Sequence, residues 1–302
     1  MDVGVIGVGA MGRNHARIYS ELKNIGLVGV YDQNAARAKE IAVKYGGVAY
    51  NSIQELLLMV DAVSICVPTR IHKSVIEHVF RTNKPVLIEK PICATLDEAK
   101  WIMENAPPGV TIGVGHIERF NPVVDEIRKI IKTPLYMEMK RHNPLSARVE
   151  DITVVEDLMI HDIDILLTMF GEPTEIHSIG TADICTALVK YDSGLLVNIS
   201  SSRKSSKKVR TISVEEEDFT VEGDLMSQEV IIYSKPGRYQ KENERYVQEN
   251  IIEKVMVNKV EPLRVELQTF LECVKDGKPF PVTKEQAIYN LCICKKIQAG
   301  CK

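Results

Sequence analysis

Gly7, Gly9 and Gly12 stand between an apolar run, Val3 to Gly7, and fifteen residues of helical spacing that carry His15, Ile18 and Leu22. A strand that turns on glycine straight into a helix leaves the first N–H groups of that helix aimed at the turn, where they hold an anionic group. A second apolar run, Leu27 to Tyr31, ends in Asp32, twenty residues after Gly12. That is the spacing at which a dinucleotide-binding fold sets the carboxylate that takes a ribose hydroxyl. The pattern therefore predicts a dinucleotide on Gly7, Gly9, Ala10, Met11 and Gly12, with Asp32 on its ribose. A carboxylate accepts the 2'-hydroxyl and repels a 2'-phosphate, so NAD is expected and NADP is less favoured. Arg37, one turn into the next helix, is the residue that can reach a 2'-phosphate.

The alternation continues. Helical signals at Ala35 to Tyr45 and at the capping-box spacing Ser52 to Glu55 precede the buried-strand run Ala62 to Val67, which Pro68 ends. His72 to Arg81 reads as a helix, Pro85 to Glu89 as a strand, Thr95 to Glu98 as another capping box and Val110 to Val114 as a last strand. Such a sequence specifies an α/β Rossmann domain, a doubly wound parallel sheet, over residues 1–117. Ligands of that architecture gather at the carboxyl ends of the strands, where Gly9, Asp32, Pro68, Thr69, Glu89, Lys90 and His116 fall.

Residues 118–302 read differently. A helix from Pro122 to Lys132, a strand from Leu135 to Arg141 and a helix carrying Asp157 and His161, stopped at Gly171, are followed by six short strands between Glu175 and Tyr233. Tight turns such as Asp192 to Gly194 predict an α+β domain with an open, mostly antiparallel sheet that binds substrate and builds the oligomer. The helices from 122 and 155 can cover one face; the other is left for a second subunit, which predicts a homodimer or homotetramer. Two helices, Pro262 to Val274 and Thr283 to Ala299, close the chain.

Charge narrows the function. Thirty-eight basic against 41 acidic residues give a formal charge of −3, so no basic field draws the chain to nucleic acid or anionic lipid, and a small-molecule partner is expected. No stretch reaches the roughly 18 apolar residues of a membrane span, and the N-terminus enters a strand without a signal-peptide pattern. The seven cysteines include no C-x-x-C pair; they suit buried, reduced thiols in a cytoplasmic protein. Cys292 and Cys294 are too isolated for a metal site, and no metal is expected.

Lys90 lies between a buried strand and Pro91, where a ligand belongs. His161, four residues after Asp157, can act as the base that takes an alcohol proton, with Asp157 orienting it on a shared helix face and the Lys90 ammonium stabilising the alkoxide. Asp164, one turn beyond, orients His161 or holds a contact; Asp162 points elsewhere and is expected in solvent. Arg203 to Arg210 holds five basic residues in eight; such a run is ordinarily a solvated loop, and the sharper reading puts Lys208 and Arg210 on a substrate diphosphate.

The set Gly7-x-Gly9-x-x-Gly12, Glu89-Lys90-Pro91 and Asp157-x-x-x-His161-x-x-Asp164 resembles the glucose-fructose oxidoreductase, inositol dehydrogenase and rhizopine-catabolism family (Gfo/Idh/MocA), in order and spacing, across the whole chain. The resemblance implies a Rossmann domain followed by an open-sheet domain, and a site between nicotinamide and substrate lined by Lys90, Asp157 and His161. Val67-Pro-Thr-Arg-Ile-His72 is similar to the family's strand-four motif, which implies Pro68, Thr69 and His72 at the cofactor, together with Glu89 and Lys90 of the Glu-Lys-Pro motif. Gly115-His-Ile-Glu-Arg-Phe-Asn-Pro122, Asp157 to Asp164 and Lys208-Val-Arg210 look most like the UDP-N-acetylglucosamine 3-dehydrogenases, which implies Arg119, Asn121, Lys208 and Arg210 at a nucleotide-sugar substrate. Met159 stands where the family usually has glycine, narrowing the pocket floor. The other readings are a dehydrogenase of free sugar or inositol, an imine or biliverdin-type reductase, and a nonenzymatic NAD-binding regulator.

Overall fold

Short β-branched runs set between glycine turns and capped helices build the first layer of the protein, a computed structural model that describes residues 1–23, 25–26, 28–144, 152–237, 239–242, 245–248 and 250–301. In chain order these are β1 (Val3–Ile6), α1 (Ala10–Glu21), β2 (Val28–Tyr31), α2 (Ala35–Tyr45), β3 (Val48–Ala49), α3 (Ile53–Met59), β4 (Ala62–Ile65), α4 (His72–Phe80), β5 (Val86–Glu89), α5 (Leu96–Asn105) and β6 (Ile112–Gly115). The six strands are parallel in the order β3-β2-β1-β4-β5-β6, the doubly wound arrangement whose order reverses beside β1. The Ser52 hydroxyl accepts the Glu55 N–H, and Thr95 and Glu98 close a reciprocal capping box. β3 is absent from the sequence reading because two residues carry no period. Leu27, the expected start of the second strand, lies outside the described residues.

The rest comprises α6 (Pro122–Ile130), β7 (Tyr136–Pro144), a π turn (Val155–Met159) leading into α7 (Ile160–Phe170), then β8 (Glu175–Gly180), β9 (Ile184–Lys190), β10 (Leu196–Ser202), β11 (Lys204–Glu215), β12 (Phe219–Asp224), β13 (Glu229–Ser234), β14 (Tyr239–Glu242), β15 (Arg245–Gln248), β16 (Ile252–Val255), α8 (Pro262–Asp276) and α9 (Lys284–Ala299). Eight strands form one sheet, β16-β13-β12-β11-β7-β10-β9-β8, antiparallel except for the parallel pair β7 and β10. β14 and β15 pair as a separate hairpin.

Two units pack separately: 1–117 with 263–292, and 118–262 with 293–302. Residues 263–292 thus return to the parallel sheet: Phe280 fills the space left by the missing side chain of Gly113, and Val114 donates its N–H to the Val282 carbonyl. In the second unit one sheet face is core. Met137 and Met139 of β7 are buried opposite Val214 and Ile212 of β11, and Gly223 of β12 leaves room for Val123 and Ile127 of α6. The other face alternates with it and exposes Leu188, Leu196 and Ile184 to 57%, 51% and 44%. Among the described residues no helix is long and apolar enough to cross a membrane.

Candidate active site

The glycines divide the work of the first turn. Gly7 has a φ of +86°, and a Cβ there would meet the Val67 side chain at 2.7 Å. A Cβ on Gly12 would strike the Gly7 carbonyl oxygen, so only glycine lets α1 pack this tightly on β1. Gly9 differs: nothing lies within 4 Å of where its Cβ would stand, leaving backbone open for a pyrophosphate to approach. Asp32 at the end of β2 accepts the Val8 N–H at 2.9 Å and the Asn34 N–H at 2.8 Å, with acceptor capacity to spare for hydroxyls. It borders a cleft of about 220 Å³ with Gly7, Gln33, Val67, Ser74 and His78. These residues fit a dinucleotide. Arg37 lies 3.6 Å from Asp32, with its side chain 44% exposed. Ala10 and Pro68 are exposed, Met11 and Thr69 half-buried. His72 is inside, one ring nitrogen 2.9 Å from the Val67 carbonyl oxygen and the other 3.2 Å from that of Ile92. It braces the end of β4 against the loop after Pro91, and burial holds its basicity below the ordinary imidazole value despite those carbonyls.

Glu89 ends β5 with its carboxylate buried. One oxygen is 2.9 Å from His15 Nε2; the other accepts the Lys90 N–H at 3.3 Å. Burial opposes its ionisation, yet His15 and Lys90 hold it below the usual glutamic range. His15, inward-facing on α1, is a member of this site that sequence spacing misses. Cys66 joins both in a cluster within 4.8 Å, its thiol pushed well up by burial. Above this floor Lys90 is half-buried, and the Lys90–Pro91 peptide bond is cis.

The second unit brings together the other candidates. Asp157 lies in the π turn and His161 four residues later in the first turn of α7, so the regular α-helix expected across both begins only at Ile160. Asp157 is 3.3 Å from Arg203 Nε, and Arg203 also donates to the Ile152 carbonyl at 2.8 Å. Glu156 is 2.5 Å from Lys295 of α9. His161 is half-buried at the first turn of α7.

Asp162 is not in solvent. It is 2% exposed and takes Arg141 at 2.7 Å, while Arg141 also reaches Glu118 at 2.7 Å. Burial raises the Asp162 carboxyl above its ordinary value even against the Arg141 charge; Glu118, equally desolvated, is held down by Arg141 and Arg210. Asp164 takes Arg119 through Nε at 2.7 Å and Nη2 at 2.9 Å. Asn121 caps α6 by accepting the Val123 N–H and donates to Glu118 and the Leu225 carbonyl. Arg119 and Asn121 are thus tied into the frame of α6 and α7.

The basic run is strand, not loop. Lys208 and Arg210 lie on β11; Lys208 is exposed, and Arg210 is half-buried 3.5 Å from Glu118. Arg203 just before it is buried, and Lys204 is paired with Asp183 at 2.9 Å.

Residues 1–116 match the family model described as an oxidoreductase family with an NAD-binding Rossmann fold, and residues 148–300 match its C-terminal alpha/beta domain. The UDP-N-acetylglucosamine 3-dehydrogenase of Acidithiobacillus ferrooxidans is 35% identical over 244 residues, 78% of this chain and 77% of that protein. A solved structure of that enzyme superposes with a TM-score of 0.89 at 31% identity, covering 100% of this chain and 97% of the other. The NAD-dependent scyllo-inositol 2-dehydrogenase of Bacillus subtilis is 28% identical over 318 residues, 95% of this chain and 90% of that protein. The chain belongs to the Gfo/Idh/MocA family of oxidoreductases, with an NAD-binding Rossmann domain and a C-terminal α/β domain.

Proposed function

We propose that this protein is an NAD-dependent dehydrogenase that oxidises a secondary alcohol of a nucleotide sugar, with UDP-N-acetylglucosamine, at C3, as the leading substrate. The observation that carries this reading is the 35% identity to an enzyme of that name over 78% of the chain. NAD is preferred over NADP because Asp32, set at the glycine turn by two backbone N–H groups, accepts a ribose hydroxyl and repels a phosphate.

Nicotinamide dinucleotide, when bound, supplies the hydride acceptor. His161 takes the hydroxyl proton, since imidazole titrates near neutral pH. Asp157, fixed by Arg203, orients that imidazole. Lys90 stabilises the developing alkoxide; the Glu89 carboxylate, seated on His15 and on the Lys90 N–H, fixes the backbone that carries the ammonium. Lys208 and Arg210 take the substrate diphosphate. The exposed apolar sheet face with Leu188, Leu196 and Ile184 supports a homodimer or homotetramer built through it. The compartment assigned is the cytoplasm.

The second reading is oxidation of free inositol, favoured by the 28% identity that runs over 95% of the chain. Screening nucleotide sugars, free sugars and inositols for NAD reduction at 340 nm separates the two. Turnover of UDP-N-acetylglucosamine at least tenfold above any free polyol is expected. Equal or better use of inositol overturns the nucleotide-sugar reading, and no reduction with any alcohol leaves the nonenzymatic regulator.

A further inference from the structure

Cys185 and Cys301 are far apart in sequence, and nothing in the reaction uses them. The last turn of α9 lies flat on the edge of the large sheet: Ser178 Oγ of β8 donates to the Ile297 carbonyl at 2.7 Å, and Cys301 bridges in parallel to Gly180, the same residue that pairs with Cys185 across β8 and β9. Two glycines allow this approach. A Cβ on Gly300 would strike Ser178, and one on Gly180 would strike the Ile184 carbonyl and come within 2.6 Å of the Cys185 Cα. With no side chain between them, the sulfurs of Cys185 and Cys301 sit 2.7 Å apart. Two thiols that close are already inside ordinary nonbonded contact and approach the length of about 2.05 Å of a disulfide bond.

We propose that Cys185 and Cys301 are a modification site, a reversible intramolecular disulfide formed by exchange with a low-molecular-weight disulfide. Cys301 is half-buried and Cys185 buried, so the small disulfide meets Cys301 first. The Cys301 sulfur, giving up its proton, attacks one sulfur of the small disulfide; an S–S bond forms to Cys301 and one small thiol leaves. Cys185 then gives up its proton and attacks Cys301, forming the Cys185–Cys301 bond and expelling the second small thiol. Two protein thiols are oxidised, one disulfide is reduced to two thiols, and both protons leave on them. Burial and the neighbouring Cys301 push the Cys185 thiol up, which disfavours Cys185 as the first sulfur to attack.

The bond fixes the end of α9 to β9. Lys295, less than two turns earlier on α9, holds Glu156, the residue before Asp157, so the tether secures the same helix that steadies the π turn.

The test treats the native, fully reduced protein with glutathione disulfide, quenches with an alkylating agent and maps peptides by mass spectrometry without reduction. The expected result is a peptide joining Cys185 to Cys301, loss of two of the seven thiols, no retained glutathione, a rise in Tm of at least roughly 2 °C, and reversal by dithiothreitol. Cys185→Ala should trap the glutathione adduct on Cys301, and Cys301→Ser should leave Cys185 unmodified. If Cys185→Ala does not fold, wild type and Cys301→Ser still decide it. Glutathione accumulating on Cys301 in wild type, a linked peptide that forms only in urea, or crosslinks between chains each overturn the proposal.

Discussion

Replacing Arg141 by methionine probes the frame that carries His161. Arg141 is 1% exposed, 2.7 Å from both Asp162 and Glu118, with a second contact from Nε to Asp162 at 3.0 Å. The variant leaves two carboxylates buried with Arg210, 3.5 Å from Glu118, as the nearest cation shown. Removing one partner of a buried ion pair costs about 3–5 kcal/mol. The loss should not double for two carboxylates, because Asp162, already raised by burial, takes up a proton once Arg141 is gone. That makes the cost depend on pH with a definite sign. The folded variant then holds a proton on Asp162 that the unfolded chain releases above the ordinary aspartate value of 3.8. Stability therefore falls as pH rises from there through the raised folded value, by up to about 1.36 kcal/mol per pH unit.

Urea unfolding followed by far-ultraviolet circular dichroism suits the measurement, since the single tryptophan, Trp101, lies in the first unit. At pH 8.5 the midpoint should fall by roughly 1 M or more, given slopes of about 1–3 kcal/mol per molar. At pH 5.5 the loss should be smaller. Arg141→Met with Asp162→Asn should recover about half, because an amide carries no charge to strand. A single variant within about 1 kcal/mol of wild type at pH 8.5, or a loss that does not change with pH, refutes the reasoning.

Lys90→Ala and His161→Ala should each lower kcat by roughly a hundredfold or more with NAD affinity little changed, and wild-type turnover removes that residue from the mechanism. Calorimetric titration should give a lower Kd for NAD than for NADP; equal or reversed values reject the role given to Asp32. Lys208→Ala with Arg210→Ala should weaken use of UDP-sugars strongly, at on the order of 1.5–3 kcal/mol for each charged hydrogen bond, and leave free-sugar oxidation nearly untouched. Lys208→Ala alone is the cleaner control, because Arg210 also stands against Glu118. Light scattering at micromolar concentration should give a dimer or tetramer, and a monomer overturns the sheet-face interface.

What the sequence makes legible is what neighbours in the chain decide. The glycine turn, Asp32 and both helix caps follow from local rules: φ, hydrogen-bond reach within a few residues, and period. Gly7, Gly9 and Gly12 each do something different in the structure, and all three fall inside one turn. His15 on Glu89 is illegible for the opposite reason. The pair is separated by 74 residues, and a histidine on the inner face of a helix reads like any satisfied core residue until β5 is laid beside it. The same holds for Arg141, whose partners lie 21 and 23 residues away. Asp162 reads as solvated only because an α-helical wheel turns it away from His161, and that wheel says nothing about a cation arriving from β7.

The π turn carries a long-range contact that helical spacing does not show. Asp157 lies in the π turn and His161 in the helix that follows, and Asp157 also meets Arg203, which the sequence groups with Lys208 and Arg210 as one basic run. Within that run, place relative to the sheet divides the cations. Arg203, just before the bulged start of β11, turns inward to Asp157 and the Ile152 carbonyl. Lys208 stays in solvent, and Arg210, in register with Arg141 on β7, lies on the core face beside Glu118. Of the five like charges in these eight residues, Arg203 braces the interior and Lys204 pairs with Asp183 at the surface, while Lys208 and Arg210 are the two proposed for a substrate diphosphate. Charge composition cannot separate these tasks, because the pleat and the bulge decide which side chains the sheet turns inward.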